Sequence, residues 1–225
     1  MKFDIITIFP KIFDSYFGES ILKRAQEKKL IKITAHNLRD FAEGKHKKVD
    51  DRPFGGGAGM VFMAEPIHRA VKKIKSSAKG GSASGGKSKR TRVILFSTRG
   101  KKFDAKAARR LAKYDQLIFI CGRYEGVDER VATHIADEEI SIGDFVLSGG
   151  ELPAMVVVEA VARFIPGVLG KWESLEEVKG SYPVYTRPER LTLGNKKYSV
   201  PKTLMTGDHK KIEAWRKEKT GDRQR

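Results

Sequence analysis

The sequence predicts an α/β fold, a mostly parallel sheet flanked by helices, followed by a small helical C-terminal domain. Three observations carry that expectation. Short, almost wholly apolar runs at residues 2–9, 92–97 and 116–121 have the length and composition of strands buried on both faces. Amphipathic stretches with helical spacing lie between such runs. Glycine-rich turns join strand ends to the starts of helices, as in βαβ units.

The first strand, 2–9, ends at Pro10, and an amphipathic helix over 20–29 leads into a second strand at 31–35. Residues 51–60 read Asp51-Arg52-Pro53-Phe54-Gly55-Gly56-Gly57-Ala58-Gly59-Met60. Four glycines in five positions make this a loop. Helical spacing returns over 65–75, and residues 76–88 are almost wholly Ser, Gly, Ala and Lys, a composition that buries no apolar area and reads as a flexible connector. Order resumes with a strand at 92–97, a helix N-capped by Asp104 and reaching Lys113, and the strand 116–121. A strand at 138–142 precedes a strongly apolar helix from Glu151 to about Ile165, stopped by Pro166-Gly167. The domain plan is a main domain over 1–170 with a basic insert at 76–90, a linker over 171–184, and a basic C-terminal domain over 185–225. In the last of these, Ile212, Ala214 and Trp215 form one small helical docking face.

Bulk properties narrow the function. Forty-five Lys and Arg stand against 28 Asp and Glu in 225 residues, a formal charge of +17. That surplus makes a polyanion the expected partner, with nucleic acid ahead of anionic membrane. No apolar run approaches the roughly 20 residues of a spanning helix and no signal peptide precedes the first strand, so a cytoplasmic protein is expected. A single cysteine excludes an internal disulfide framework, and Cys121 reads as a core residue. The five histidines lack metal-ligand spacing. Eight Lys or Arg and no acid fall between Lys72 and Arg92, and seven against four acids follow Gly207; both clusters suit phosphate contact.

Three glycine-rich segments compete for a chemical role. Gly81-Ser82-Ala83-Ser84-Gly85-Gly86-Lys87-Ser88 matches the phosphate-loop pattern letter for letter, yet it lies in a low-complexity tract and precedes a strand instead of opening a helix. It is a chance match. The segments Cys121-Gly122-Arg123-Tyr124-Glu125-Gly126-Val127-Asp128-Glu129-Arg130 and Ser141-Ile142-Gly143-Asp144-Phe145-Val146-Leu147-Ser148-Gly149-Gly150-Glu151 leave the ends of expected parallel strands, where ligands of open α/β sheets collect. An adenine-bearing cofactor fits between them; tight turns without a ligand are the plainer reading.

These two segments, together with residues 51–60, Arg163-Phe164-Ile165-Pro166-Gly167-Val168-Leu169 and Tyr185-Thr186-Arg187-Pro188, resemble the bacterial tRNA (guanine-N1)-methyltransferases of the SPOUT superfamily. The resemblance runs from the first strand to Trp215-Arg216, interrupted by the Ser/Gly/Lys tract. It implies a trefoil-knotted sheet, a rare exception to unthreaded topology, and a homodimer with active sites at the subunit interface. It also implies S-adenosyl-L-methionine as cofactor and tRNA as partner. The cofactor would meet Leu95, Phe96, Ser97, Gly122, Ile142, Gly143, Asp144, Phe145, Val146, Leu147 and Gly149, with Glu125 near its methionine end. Asp51, Arg52, Gly55, Gly56 and Gly57 would receive the target base, and Tyr185 and Arg187 would contact RNA. A magnesium requirement is a further implication, although no carboxylate cluster is dedicated to the ion.

Methylating guanine N1 needs a base to remove its proton and a donor for charge that shifts to the neighbouring carbonyl oxygen. The resemblance assigns the second role to Arg163 and the first to an aspartate of the following linker. Direct spacing from Arg163 puts Val178 at that aspartate's place. The linker is shorter than in the family, and a shift of one residue brings Glu177 there, with Glu176 and then Glu173 as alternatives. An RNA-binding homodimer of the same fold that has lost its base is the competing reading.

Overall fold

The structure is a computed structural model that describes residues 1–79, 90–170 and 181–221, and the chain divides into two compact units, Met1–Leu169 and Gly170–Arg225. The first opens with β1 (Lys2–Thr7), a 3-10 turn at Pro10–Phe13, α1 (Asp14–Phe17), α2 (Ser20–Glu27) and β2 (Lys32–Asn37). A small ladder of β3 (Asp50–Asp51) and β4 (Val61–Phe62) precedes α3 (Ala64–Lys79) and β5 (Thr91–Lys102). Then come α4 (Ala105–Leu111), β6 (Gln116–Ile120), α5 (Glu129–His134), β7 (Glu138–Ser141) and α6 (Glu151–Ala162). The main sheet has the order β2-β1-β6-β5-β7, and every neighbouring pair in it is parallel.

The expected sandwich arises because the strands are apolar on both faces. Phe3, Ile5, Ile94, Phe96, Leu117 and Phe119 turn to one side and pack with α2, α4 and α6. Ile6, Val93, Leu95, Ile118 and Ile120 turn to the other and pack with α3 and α5. This is the period-2 alternation of a pleated strand with helices on each side. Phe119 stacks between Phe3 and Phe96, at centroid distances of 6.3 and 5.4 Å, tying the three central strands across one face. Asp104 caps α4 as the sequence anticipates, its carboxylate accepting from the Ala107 amide at 2.7 Å. Cys121 is buried in the core, and burial pushes its thiol well above the ordinary range. Among the described residues no helix is long and apolar enough to cross a membrane.

Five differences from the sequence reading have physical causes. Helix α3 runs through Ser76 and Ser77, whose hydroxyls donate back to the Lys73 carbonyl at 2.8 and 2.9 Å, so the basic insert does not begin at 76. The remainder of that tract, 80–89, lies outside the described residues. Helix α5 was not anticipated: its six residues are too few for periodicity, although Asp128 caps it by accepting from the Arg130 amide at 2.9 Å. Burial would raise the Asp128 carboxyl, but its hydrogen bond with the Arg130 side chain dominates and holds it low.

The second unit holds, besides the expected helix α7 (His209–Gly221), an antiparallel hairpin of β8 (Arg190–Leu193) and β9 (Lys196–Ser199). Its residues are exposed on both sides and so lack the alternation that marks a strand; the Gly194-Asn195 turn was the available signal. On α7, Ile212 and Trp215 are half-buried while Ala214 is exposed, because residues three apart share a helix face and residue 214 points away from it.

The last difference bears on the site. β5 does not stop at Ser97; it bulges, so that its pairing with β7 passes from Phe96↔Ile140 to Lys101↔Ile140. Gly100 closes the bulge against β7, where a Cβ would lie 2.6 Å from the Glu139 carbonyl carbon and the Ile140 nitrogen. Gly100→Ala is therefore expected to cost about 1–3 kcal/mol and to lower Tm by roughly 2–10 °C, measured by thermal unfolding; an unchanged Tm contradicts this packing.

Candidate active site

A cavity of about 430 Å³ opens at the carboxyl edge of the sheet, where β5, β6 and β7 end. Its walls are the β5 bulge, the loop 122–127 after β6, and the segment 139–150 that ends β7 and leads into α6. Of the residues that the sequence assigns to a cofactor, all line this cavity except Asp144, whose carboxylate pairs with the Lys102 ammonium. Segments far apart in sequence are brought to one place. Arg99 and Glu139, outside the candidate segments, also face the cavity, as do Tyr124 and Glu129 of the second glycine-rich segment, to which no individual role is assigned. Tyr124 takes a left-handed backbone conformation, φ 59°, uncommon without glycine, and sets its ring edge-on to Phe62.

The two glycine segments touch each other. The Gly150 amide donates to the Gly122 carbonyl at 3.0 Å, and Arg123 and Gly149 form an antiparallel bridge. A Cβ at Gly150 would lie 2.7 Å from Cys121 Cα, and one at Gly149 would collide with the Arg123 side chain. Glycine stands at both positions because the neighbouring chain occupies the space. Directly beneath, Glu151 opens α6 and is only 1% exposed. Its carboxylate accepts from the Thr7 hydroxyl at 2.7 Å and from Arg123 Nε at 3.0 Å, and the Arg123 guanidinium lies 4.7 Å over the Phe9 ring. A buried charge needs such partners, and the start of a helix favours an anion there.

The loop 51–60 borders the same wall. Gly55, Gly56, Gly57 and Gly59 all have left-handed φ, between 81° and 113°, which side chains rarely adopt. The loop's end is hydrogen-bonded to the cavity wall: the Glu125 amide donates to the Met60 carbonyl at 3.1 Å, and the Phe62 amide to the Gly126 carbonyl at 3.0 Å. Phe54 at its tip is fully exposed. The Asp51 carboxyl is held below its ordinary range by a hydrogen bond from Lys48 and another from the Arg52 amide.

Other assigned residues are not gathered here. Arg163 caps the far end of α6, half-buried, and does not line the cavity; among the described residues its guanidinium forms no ion pair. The 12 residues of α6 separate it from Gly150, roughly 18 Å at 1.5 Å per residue. Tyr185 and Arg187 are exposed in the second unit, where the Tyr185 ring lies 6.3 Å from that of Trp215. Glu173, Glu176 and Glu177 lie outside the described residues. Among the described residues no three His, Cys, Asp or Glu side chains are grouped to hold a metal ion.

Known proteins match the chain over its whole length. The family model described as tRNA (Guanine-1)-methyltransferase TrmD matches residues 1–225. The chain is 47% identical over 230 residues to the tRNA (guanine-N(1)-)-methyltransferase of Ruminiclostridium cellulolyticum, an alignment covering 100% of this chain and 93% of the relative. It is 49% identical over 222 residues to that of Geotalea uraniireducens, covering 96% and 84%. With that of Geobacter sulfurreducens it shares 46% identity over 224 residues, covering 97% and 86%. A match over the whole chain, on a parallel sheet whose glycine segments meet at one cavity, shows that the chain belongs to the tRNA (guanine-1)-methyltransferase family.

Proposed function

We propose that the protein transfers the methyl group of S-adenosyl-L-methionine to N1 of the guanosine immediately 3′ of the anticodon in tRNA. The observation that carries this reading is the cavity between residues 122–127 and 139–150, which joins almost every residue assigned to the methyl donor. Its volume suits a nucleoside-sized ligand. Its walls offer backbone amides and carbonyls at glycines where a Cβ would collide with neighbouring chain, a lining that can follow a folded ligand closely. The bound donor supplies an electrophilic methyl group on a sulfonium.

The protein's own groups handle the guanine. The loop 51–60, tied to the cavity wall through Glu125 and Gly126, receives the extruded base. A linker carboxylate, Glu177 in our assignment, takes the N1 proton, and the Arg163 guanidinium stabilises charge on the neighbouring carbonyl oxygen. Since Arg163 lies a helix length from its own chain's cavity, a second copy would supply it. The surface offers a place for that copy. Leu152 and Val156 lie four residues apart on α6, 53% and 47% exposed, beside exposed Ile12 and Tyr16, and the Tyr16 hydroxyl donates to Glu159. Such an apolar stripe on a helix that is apolar all round marks an interface. A homodimer with composite active sites, on a knotted sheet, is the assembly we infer. The basic tract near residues 72–92 and the basic second unit supply phosphate contacts. The reaction places the protein in the cytoplasm, with tRNA.

Single-turnover methylation of an anticodon stem-loop tests the function. Transfer to guanine N1 is expected; RNA and donor binding without transfer identifies the base-less RNA-binding protein instead. Arg163→Ala is expected to slow that single turnover about a hundredfold or more with donor affinity retained, and Glu177→Gln to do likewise; an unchanged rate removes the substituted residue from its role. Val156→Asp puts a charge into the apolar stripe and is expected to yield monomers in sedimentation analysis, with methylation lost. A wild-type monomer that methylates at full rate overturns the composite site.

A further inference from the structure

One wall of the cavity holds a carboxylate oxygen that no hydrogen-bond donor among the described residues reaches. Strand β7 turns Glu138 and Glu139 to opposite sides of the sheet. Glu138 is fully engaged: Oε1 accepts from Arg92 Nε at 3.0 Å and Arg110 Nη1 at 3.1 Å, and Oε2 from Arg110 Nη2 at 2.7 Å. Burial alone would raise its pKa, but these two arginines outweigh burial and hold the carboxyl below its ordinary range. Glu139 lines the cavity, and its Oε2 is sealed from solvent without a hydrogen-bond donor. The nearest cation, Arg99 Nη2, stands 3.8 Å away and donates instead to Glu129 Oε2 at 2.7 Å. A buried polar atom left in this condition is costly, the more so when charged.

Charge around the cavity points the same way. Glu125, Glu129 and Glu139 face it together with Arg99 and Arg123. Arg99 donates to Glu129 and Arg123 to Glu151, so that among the described residues Glu139 Oε2 keeps only the longer ion pair with Arg99 and has no hydrogen-bond donor of its own. The position of Glu139 is set by backbone packing, since Gly100 lies against its carbonyl carbon. An acceptor is thus held in place before any donor arrives.

We propose that the Glu139 carboxylate accepts a hydrogen bond from a hydroxyl or ammonium group of the nucleoside cofactor bound between β5, β6 and β7. The proposal rests on the reading of this cavity as the methyl-donor site. It makes Glu139 a binding residue that favours ligands presenting donors over ligands presenting a carboxylate at that point.

Calorimetry on the full chain tests it, with S-adenosylmethionine, S-adenosylhomocysteine and methylthioadenosine titrated into wild-type protein and Glu139→Gln. If the donor is the ammonium, affinity for the first two falls roughly tenfold or more while methylthioadenosine, which lacks that group, is unaffected. A ribose hydroxyl as donor gives a loss with all three. Affinities for all three within about twofold of wild type overturn the role of Glu139. Should Glu139→Gln fail to fold, Glu139→Asp, which keeps the charge but withdraws it by one methylene, is read by the same criteria. Wild-type protein that takes up none of the three ligands overturns the cavity's assignment itself, a result distinct from failure at Glu139.

Discussion

The site depends on one buried carboxylate. Glu151 sits beneath the first turn of α6, bonded to Thr7 at the end of β1 and to Arg123 in the loop after β6. Three segments distant in sequence are thereby held at one point, and the charge cannot relax toward water because it is enclosed. Removing one partner of such a pair is costly, on the order of 3–5 kcal/mol. The backbone contacts between Gly122 and Gly150 and between Arg123 and Gly149 lie directly over this anchor. The absence of side chains at Gly149 and Gly150 follows from it, and so does the shape of the cavity that these loops enclose.

The parallel sheet explains why chemistry gathers at this edge. With helices packed on both faces, only the strand ends remain open, and every strand of the main sheet points the same way. The β5 bulge widens that edge and adds Arg99 to the wall. What the edge lacks is Arg163, carried to the other end of α6 by the same helix that positions Glu151. A helix that anchors one cavity at its start and presents a cation at its end is the reason we propose, and do not observe, a second copy as the source of Arg163.

Much of this was legible in the sequence because the strands are uniformly apolar and the signals at their ends are local. The runs ending near Ser97 and Cys121, the Asp104 cap and the two glycine segments each follow from composition within a few residues. The glycine segments showed that backbone must be approached closely, but not by what; that Gly150 faces Cys121 and Gly149 faces Arg123 is tertiary information. Arg99 and Glu139 were missed because a bulge and a parallel pairing bring them to the cavity, and neither leaves a periodic trace. Asp144, conspicuous in its glycine-rich segment, turns instead to Lys102. The hairpin of the second unit escaped notice because exposed strands carry no alternation of burial.

The direct test of the anchor is a double-mutant cycle on Arg123 and Glu151, read as affinity for S-adenosylmethionine by calorimetry. If the pair holds the two loops around the methyl donor, Arg123→Met and Glu151→Gln each weaken binding by roughly tenfold or more, and the double variant is no worse than the weaker single. Undiminished affinity in both single variants, or losses that simply add, would contradict the account.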